Sequence, residues 1–390
     1  MVERLLIRGG VLAGPGGATR VDVRCAGPRV TEIATQLASG GTPTLDANGL
    51  TLGPGFVDIH VHGGGGHSFF TADPARIAAY AAWAPRNGVT SFLISTVGDD
   101  DAGTEAILRG LAPAVGSVGG AEPLGFHLEG PFINPERKGA FPRGTLRQPS
   151  VAEFERYQRA AGGNIRQVTL APELSGGLDL VRAVTASGAE AAMGHTDATA
   201  EEARAGFTAG VRHVTHLFNA MRPIHQREAG PTVAALLDTS VTCELICDGA
   251  HVGPDTLRLA YRMLGPERTV IVTDNLSLAG ADRDEGRFGA DPVTVSGNTA
   301  VRADGTIVGS VATMDQHFRN AIAFLGVDLA TAFRLCSSNP ARVVGAADRK
   351  GAIAAGLDAD IVLLDAENRV AATVCRGEVA YLREPARLRS

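Results

Sequence analysis

Cysteine, long apolar runs and clusters of basic residues are all scarce in this chain of 390 residues. Five cysteines, Cys25, Cys243, Cys247, Cys336 and Cys375, are an odd number in a long chain, which excludes a dense disulfide framework. Cys243 and Cys247 lie inside an apolar run and are expected in the core rather than on a metal. No uncharged apolar run is long enough to span a bilayer. The net charge of −6 has no compensating basic stretch, which argues against nucleic acid or an anionic membrane as the main partner. Any anionic substrate must therefore meet a few local cations. The start, Met-Val-Glu-Arg, lacks the basic and apolar regions of a signal peptide, so a reducing cytoplasm is the expected compartment. Self-similar repeats and low-complexity tails are missing as well.

What is present is the composition of a globular enzyme, 44% apolar and 20% charged. Short strand-like stretches at 4–13, 21–24 and 29–33 open the chain, and similar ones at 360–365 and 370–382 close it. Between them eight apolar strands alternate with amphipathic helices: 55–62, 90–96, 124–129, 167–172, 190–195, 213–218, 241–248 and 269–274. Eight is the count of a (β/α)₈ barrel. The expected fold is α/β, with a TIM barrel over 55–344 and a small β-sandwich domain built from both chain ends, 1–54 and 345–390. A doubly wound open sheet would use the same alternation. Asp73-Pro74, Ser150-Val-Ala-Glu153 and Thr199-Ala-Glu-Glu202 are helix starts, the last two matching a capping box. Asn87-Gly88, Gly188, Gly210 and Gly265 mark helix ends.

Barrel enzymes carry their chemistry at the carboxyl ends of the strands. Strand one runs into His60-Val-His62, whose alternation aims both rings to one face, with Asp58 behind them. Four glycines, Gly63 to Gly66, follow and leave backbone room for a close approach. Strand three ends in His127-Leu-Glu129, strand five in Gly194-His195, strand six in Thr215-His216 and strand eight in Thr273-Asp274. With His127 set aside, four histidines and two carboxylates thus fall at equivalent places on five strands, where chance would scatter them. His127 is expected to pack beside the ligands, His213 to face away from His216, and His67 and His317 to occupy ordinary loop or surface positions.

Nitrogen and carboxylate donors without cysteine suit Zn²⁺, or Fe²⁺ and Mn²⁺. A site that keeps one position open would acidify a water molecule, and Asp274 would take that water's proton and pass it to a leaving amine. Such a site hydrolyses an amide or related bond.

At PGFVDIHVHG, HLEGPFINPERKGAF (127–141), TLAPE (169–173), GHT (194–196), THLFNAM (215–221), DGAHV (248–252) and TD (273–274), the chain resembles the N-acetylglucosamine-6-phosphate deacetylase family of the amidohydrolase superfamily. The match runs in order over nearly the whole barrel. The resemblance implies that Glu129, His195 and His216 hold the principal metal. It also implies that His60 and His62 serve a second ion bridged by Glu129, giving one or two ions per subunit. It implies Asp274 as general base and acid, and a metal-bound hydroxide as nucleophile. Asn219, Ala220 and Ala140 correspond to substrate contacts, and Arg227 with His251 to the phosphate-binding pair. In relatives that arginine can reach in from a neighbouring subunit, which implies a homodimer.

Two positions depart from the family pattern. Phe141 stands where a histidine commonly polarises the acetyl carbonyl, and Asn275 where alanine commonly follows the aspartate. The histidine pair on strand one would compensate for the first by holding a second Lewis acid. A cyclic-amide hydrolase of the same superfamily would carry a carboxylated lysine on strand four, and 167–172 has none. A metal-free scaffold protein would have lost ligands that this chain retains.

Overall fold

The computed structural model describes residues 4–14, 17–97, 101–117, 119–289, 291–384 and 387–389. Eight parallel strands lie side by side in chain order: Phe56–Asp58, Val89–Val97, Glu122–Glu129, Ile165–Leu170, Glu190–Met193, His213–Val214, Thr242–Ile246 and Thr269–Val272. The first and last meet through a parallel bridge between Val61 and Asn275. There Asp274 N donates to His60 O (2.9 Å) and His62 N to Asn275 O (2.8 Å). This contact closes the barrel, and the open-sheet alternative falls away.

Several expected strands run further than the observed ones. Those expected at 55–62, 190–195 and 213–218 stop as regular ladder at Asp58, Met193 and Val214. The backbone leaves the extended region just beyond two of them, with φ of +48° at His195 and +29° at His216, and Asp274 has φ +51° beyond the eighth strand. Non-glycine residues adopt this region only when their surroundings hold them there. Gly194, before His195, has no room for a side chain, because a Cβ would lie 2.8 Å from both Thr169 and Thr215.

The helices begin where side chains satisfy free backbone donors. Asp73 accepts from Ala75 N, and Thr199 forms the complete capping box with Glu202. Only half of the box expected at Ser150 is present. Ser150 accepts from Glu153 N, but the Glu153 carboxylate turns to Arg147 Nε (2.8 Å) and Tyr157 Oη (2.7 Å). A charged donor competes better for it than a backbone amide. Gly265 interrupts the helix at Pro254–Arg268 with non-helical φ and ψ.

Both chain ends build one mixed sheet of nine strands. Its long first strand, Arg4–Gly14, carries an irregularity between Ile7 and Gly10. Before it, Leu6–Arg8 pair with Thr44–Asp46; after it, Val11 and Leu12 pair with Thr51 and Leu52. The carboxyl-terminal strand Ile361–Leu364 then pairs antiparallel with Thr51–Pro54. A separate apolar core including Ile7, Val23, Leu45, Leu52, Ile361 and Leu363 holds this unit together.

A second antiparallel sheet follows the eighth barrel strand: Glu285–Phe288, Asp291–Ser296, Thr299–Val301 and Ile307–Ser310. The sequence reading does not foresee it. Its last strand returns to the barrel, Ser310 N donating to Asp274 O at 2.9 Å, so the insert is anchored beside the expected catalytic residue. All five cysteines are buried and free. Among the described residues no helix is long and apolar enough to cross a membrane.

Candidate metal centre

Five expected ligands, each supplied by the end of a strand or the turn after it, converge on one point. Glu129 Oε1 lies 3.0 Å from His216 Nε2, 3.1 Å from His195 Nε2 and 3.4 Å from His60 Nε2. Its other oxygen, Oε2, lies 3.1 Å from His62 Nε2. Asp274 Oδ1 is 3.4 Å from the Nε2 of both His60 and His62. The ligand atoms form two buried groups, Glu129 with His195 and His216, and His60 with His62 and Asp274. Glu129 faces both groups: Oε1 reaches His195, His216 and His60, and Oε2 reaches His62.

The partners of the outer ring nitrogens fix what the inner ones offer. His60 Nδ1 lies 2.9 Å from Glu244 Oε2, His62 Nδ1 3.2 Å from Ser95 O and His195 Nδ1 2.9 Å from Arg137 O. Each acceptor holds a proton on Nδ1, so a neutral ring turns the Nε2 lone pair inward as a metal ligand requires. His60 Nε2 is buried and makes no hydrogen bond. His195 and His216 bring their Nε2 atoms within 3.0 Å of each other, an arrangement that a shared cation relieves.

Electrostatics point the same way. Burial works against a charged His60, yet the carboxylates of Asp274, Glu129 and Glu244 outweigh it and hold the ring well above its ordinary pKa. His62 is likewise pushed up to about 9 against its burial, by hydrogen bonds and charge from Asp274 and Glu129. Burial raises the Glu129 carboxyl, but His60, His195 and His216 overcome this and hold it well below the usual range. The pocket thus demands positive charge, and its donor set fits divalent cations: two buried groups of histidine and carboxylate suit a binuclear site.

The other expected residues fall into distinct places. Asn219, Ala220, His251 and Ala140 line the same cavity as the ligands, of about 230 Å³. His251 Nδ1 lies 2.6 Å from Asp248 Oδ2. Arg227 stands on an exposed loop and is not among the residues lining this cavity. Phe141 faces His195 edge-on, ring centroids 5.0 Å apart. Asn275 closes the barrel through its backbone. His127 packs beside the ligands as expected, 3.0 Å from Ser95 Oγ and 2.8 Å from Thr169 Oγ1.

Three expectations need correction. His317 is fully buried on the helix Met314–Leu325 rather than on a loop or surface, and burial pushes its pKa down to about 4. His213 points into the barrel interior with Nε2 3.1 Å from Glu244 Oε1, because the strand ends at Val214 and the turn at His216 breaks the alternation on which its expected direction rested. The room beside the four glycines is taken by an indole ring. A Cβ on Gly64 or Gly65 would meet Trp83 at 2.5 or 2.6 Å.

Sequence reasoning missed Glu244. This buried carboxylate holds His60 Nδ1, His213 Nε2, Gln167 Nε2 (2.9 Å) and the backbone N–H of His216 (3.0 Å). A charged residue in the apolar run Val241–Cys247 was the available signal, since an isolated buried charge demands partners.

Comparison with known proteins agrees with this geometry. The amidohydrolase family model matches residues 51–380. An N-acetylglucosamine-6-phosphate deacetylase of Bacillus subtilis is 37% identical over 337 residues, covering 85% of each chain. An N-acetylgalactosamine-6-phosphate deacetylase of Escherichia coli O157:H7 is 33% identical, covering 84% of this chain and 87% of its own. A mutant N-acetyl-D-glucosamine-6-phosphate deacetylase from Mycobacterium smegmatis, solved in complex with N-acetyl-D-glucosamine-6-phosphate, superposes with a TM-score of 0.90 at 35% identity. That match covers 97% of this chain and 99% of the other. The chain belongs to the amidohydrolase family, and within it to the N-acetylglucosamine-6-phosphate deacetylases.

Proposed function

We propose that this chain hydrolyses the N-acetyl group of N-acetylglucosamine-6-phosphate, giving glucosamine-6-phosphate and acetate. The observation that carries the reading is one buried carboxylate, Glu129, faced by four histidine Nε2 atoms with Asp274 alongside. Full-length relatives of that activity support the substrate.

Glu129, His195 and His216 would hold one divalent cation, and His60 and His62 a second, with Glu129 between them. A cation held there supplies Lewis acidity toward the amide carbonyl and lowers the pKa of water. Asp274 manages the protons. Burial raises its carboxyl, but His60 and His62 outweigh this and keep it below the ordinary range, so it is ionised at neutral pH. It accepts a proton from the water that adds to the carbonyl carbon. It then delivers that proton to the sugar nitrogen as the C–N bond breaks, and acetate leaves. With Nδ1 held by Asp248, His251 offers Nε2 to the substrate, and Arg227 supplies a fork that suits phosphate oxygens. Because Arg227 stands outside its own chain's cavity, a homodimer in which each subunit lends this arginine to the other accommodates it. The donor set suits Zn²⁺, with Fe²⁺ or Mn²⁺ using the same atoms, and five buried free thiols suit a reducing cytoplasm.

The test is acetate release by the metal-replete protein from N-acetylglucosamine-6-phosphate, its galactosamine epimer and unphosphorylated N-acetylglucosamine, with metal content measured on the same sample. The 6-phosphate of N-acetylglucosamine should be the preferred substrate. No acetate from any of the three would overturn the reading.

A further inference from the structure

The cavity over the metal ligands is lined by two chemically different sets of residues. The polar side chains Asn219 and His251 make one part of the lining, and Ala140, Phe141, Phe288, Ile307 and Val308 make an apolar part. Three phenylalanines from distant parts of the chain link into an arch from one ligand to another. The Phe70 ring lies 5.4 Å from His62 and meets Phe288 edge-on at 5.1 Å. Phe288 meets Phe141 at 6.5 Å, and Phe141 meets His195 at 5.0 Å. Edge-to-face contacts at these separations are favourable and directional.

The arch is packed from behind and tied by an arginine. Phe288 and Val308 are buried in one apolar cluster with Leu276, Leu278, Val293 and Ala300, and Phe70 packs against it. Arg302 stands with its guanidinium 5.9 Å from the Phe288 ring centroid. It donates from Nη2 to Ala140 O at 2.6 Å and pairs with Asp291. The inserted sheet is thereby tied to the loop that carries Phe141.

An amide cleaved between Asp274 and the histidines must extend both ways. Its nitrogen carries a sugar rich in hydroxyls, which an aromatic wall would leave without partners at a cost. Its carbonyl carbon carries an apolar tail, which the polar wall would not reward. The sugar therefore belongs on the Asn219 and His251 side, and the acyl tail on the aromatic side. We infer that Phe288, together with Phe141, sets the length of the acyl group this enzyme accepts, so that the inserted sheet limits the substrate to short N-acyl amino-sugar phosphates. This rests on the deacetylase reading and deepens it.

The experiment compares kcat/KM for the N-acetyl, N-propionyl and N-butyryl derivatives of glucosamine-6-phosphate in the wild type, in Phe288→Ala and in the milder Phe288→Leu. Metal content and near-ultraviolet circular dichroism are followed for each protein. A misfit methylene in a close-packed pocket costs roughly 10–200-fold in kcat/KM, so the wild type should fall steeply along the series. Both variants should raise the butyryl-to-acetyl ratio at least about tenfold, within that same range. An unchanged ratio in a variant that binds metal and still releases acetate would overturn the acyl-length assignment alone. Failure of the wild type to release acid from any of the three would overturn the deacetylase reading, and this inference with it.

Discussion

Asp274 and Glu244 are both buried carboxylates, yet their surroundings give them opposite tasks. Asp274 opens on the cavity, and its removal should spare the ion held by Glu129, His195 and His216. Asp274→Asn should keep the ion of the Glu129, His195 and His216 group, to which Asp274 does not belong, but lose turnover by a factor of roughly 10²–10⁴, the usual contribution of a general acid and base; near-native turnover in a metal-loaded sample would remove Asp274 from the proton path. Glu244 never meets the cavity and acts on His60 and on the turn at His216 from behind. Glu244→Gln should therefore weaken metal binding by about 10–100-fold, as is usual for a group that orients a ligand. Competition with a chelator measures this, and the variant should regain activity when excess metal is supplied. The two residues also differ in how legible they are. Asp274 announces itself by standing at a strand end in register with other polar ends, whereas Glu244 is one acid within Val241–Cys247, and its three side-chain partners come from three other strands.

Elements of this fold are specified locally to different degrees. The helix Ala200–Ala209 begins with both halves of a capping box, and Thr199→Ala should lower stability by about 0.5–2 kcal/mol. Chemical denaturation would show this as a lower midpoint at unchanged slope, with activity intact because Thr199 lies outside the cavity. The barrel strands were legible because most of their residues are buried, which leaves largely apolar stretches between the helices. The inserted sheet escaped because its strands are only three to six residues long and half exposed. Alternation of Val293 and Val295 before a turn at Gly297 was its one signal. The backbone departures at His195, His216 and Asp274 have only a faint local signature: histidine and aspartate enter the left-handed region more readily than most side chains, but the preference is too weak to mark which of them will do so.

On the scale of the whole molecule, the barrel and the terminal sheet are joined by apolar packing, with Val362, Leu364 and Val370 in the barrel's own core, and by a buried ionic cluster. Glu122, at the start of the third barrel strand, takes Arg349 Nη2 at 2.7 Å and Lys350 Nζ at 2.7 Å; Lys350 also pairs with Asp358 and Asp360. Burial would raise the Glu122 carboxyl, but these two cations hold it at about 2 rather than the ordinary 4.5. Between those values the folded chain binds fewer protons at this residue than the unfolded chain does. Its stabilisation is therefore complete above pH 4.5 and is lost as the pH falls from there toward 2. Glu122→Gln should be less stable at neutral pH and should show a flatter fall of stability across that acid window, measured by denaturation at a series of pH values. The assignment of Arg227 to phosphate has its own test. Arg227→Ala should raise KM for the phosphorylated sugar and leave the unphosphorylated one little changed, and equal losses for both would remove Arg227 from phosphate binding.

The sequence by itself determined the number and order of the barrel strands, the pairing of the two chain ends and which histidines and carboxylates to expect together as candidate metal ligands. Apolar periodicity and donor chemistry are properties of residues near one another in the chain, and they survive without coordinates. Only the tertiary structure decided that both Glu129 oxygens are shared between two ligand groups, that Glu244 stands behind His60, and that an inserted sheet brings Phe288 against Phe141. Those contacts join residues far apart in sequence. Their geometry depends on barrel closure and on turns that the packing, rather than the local sequence, holds in place.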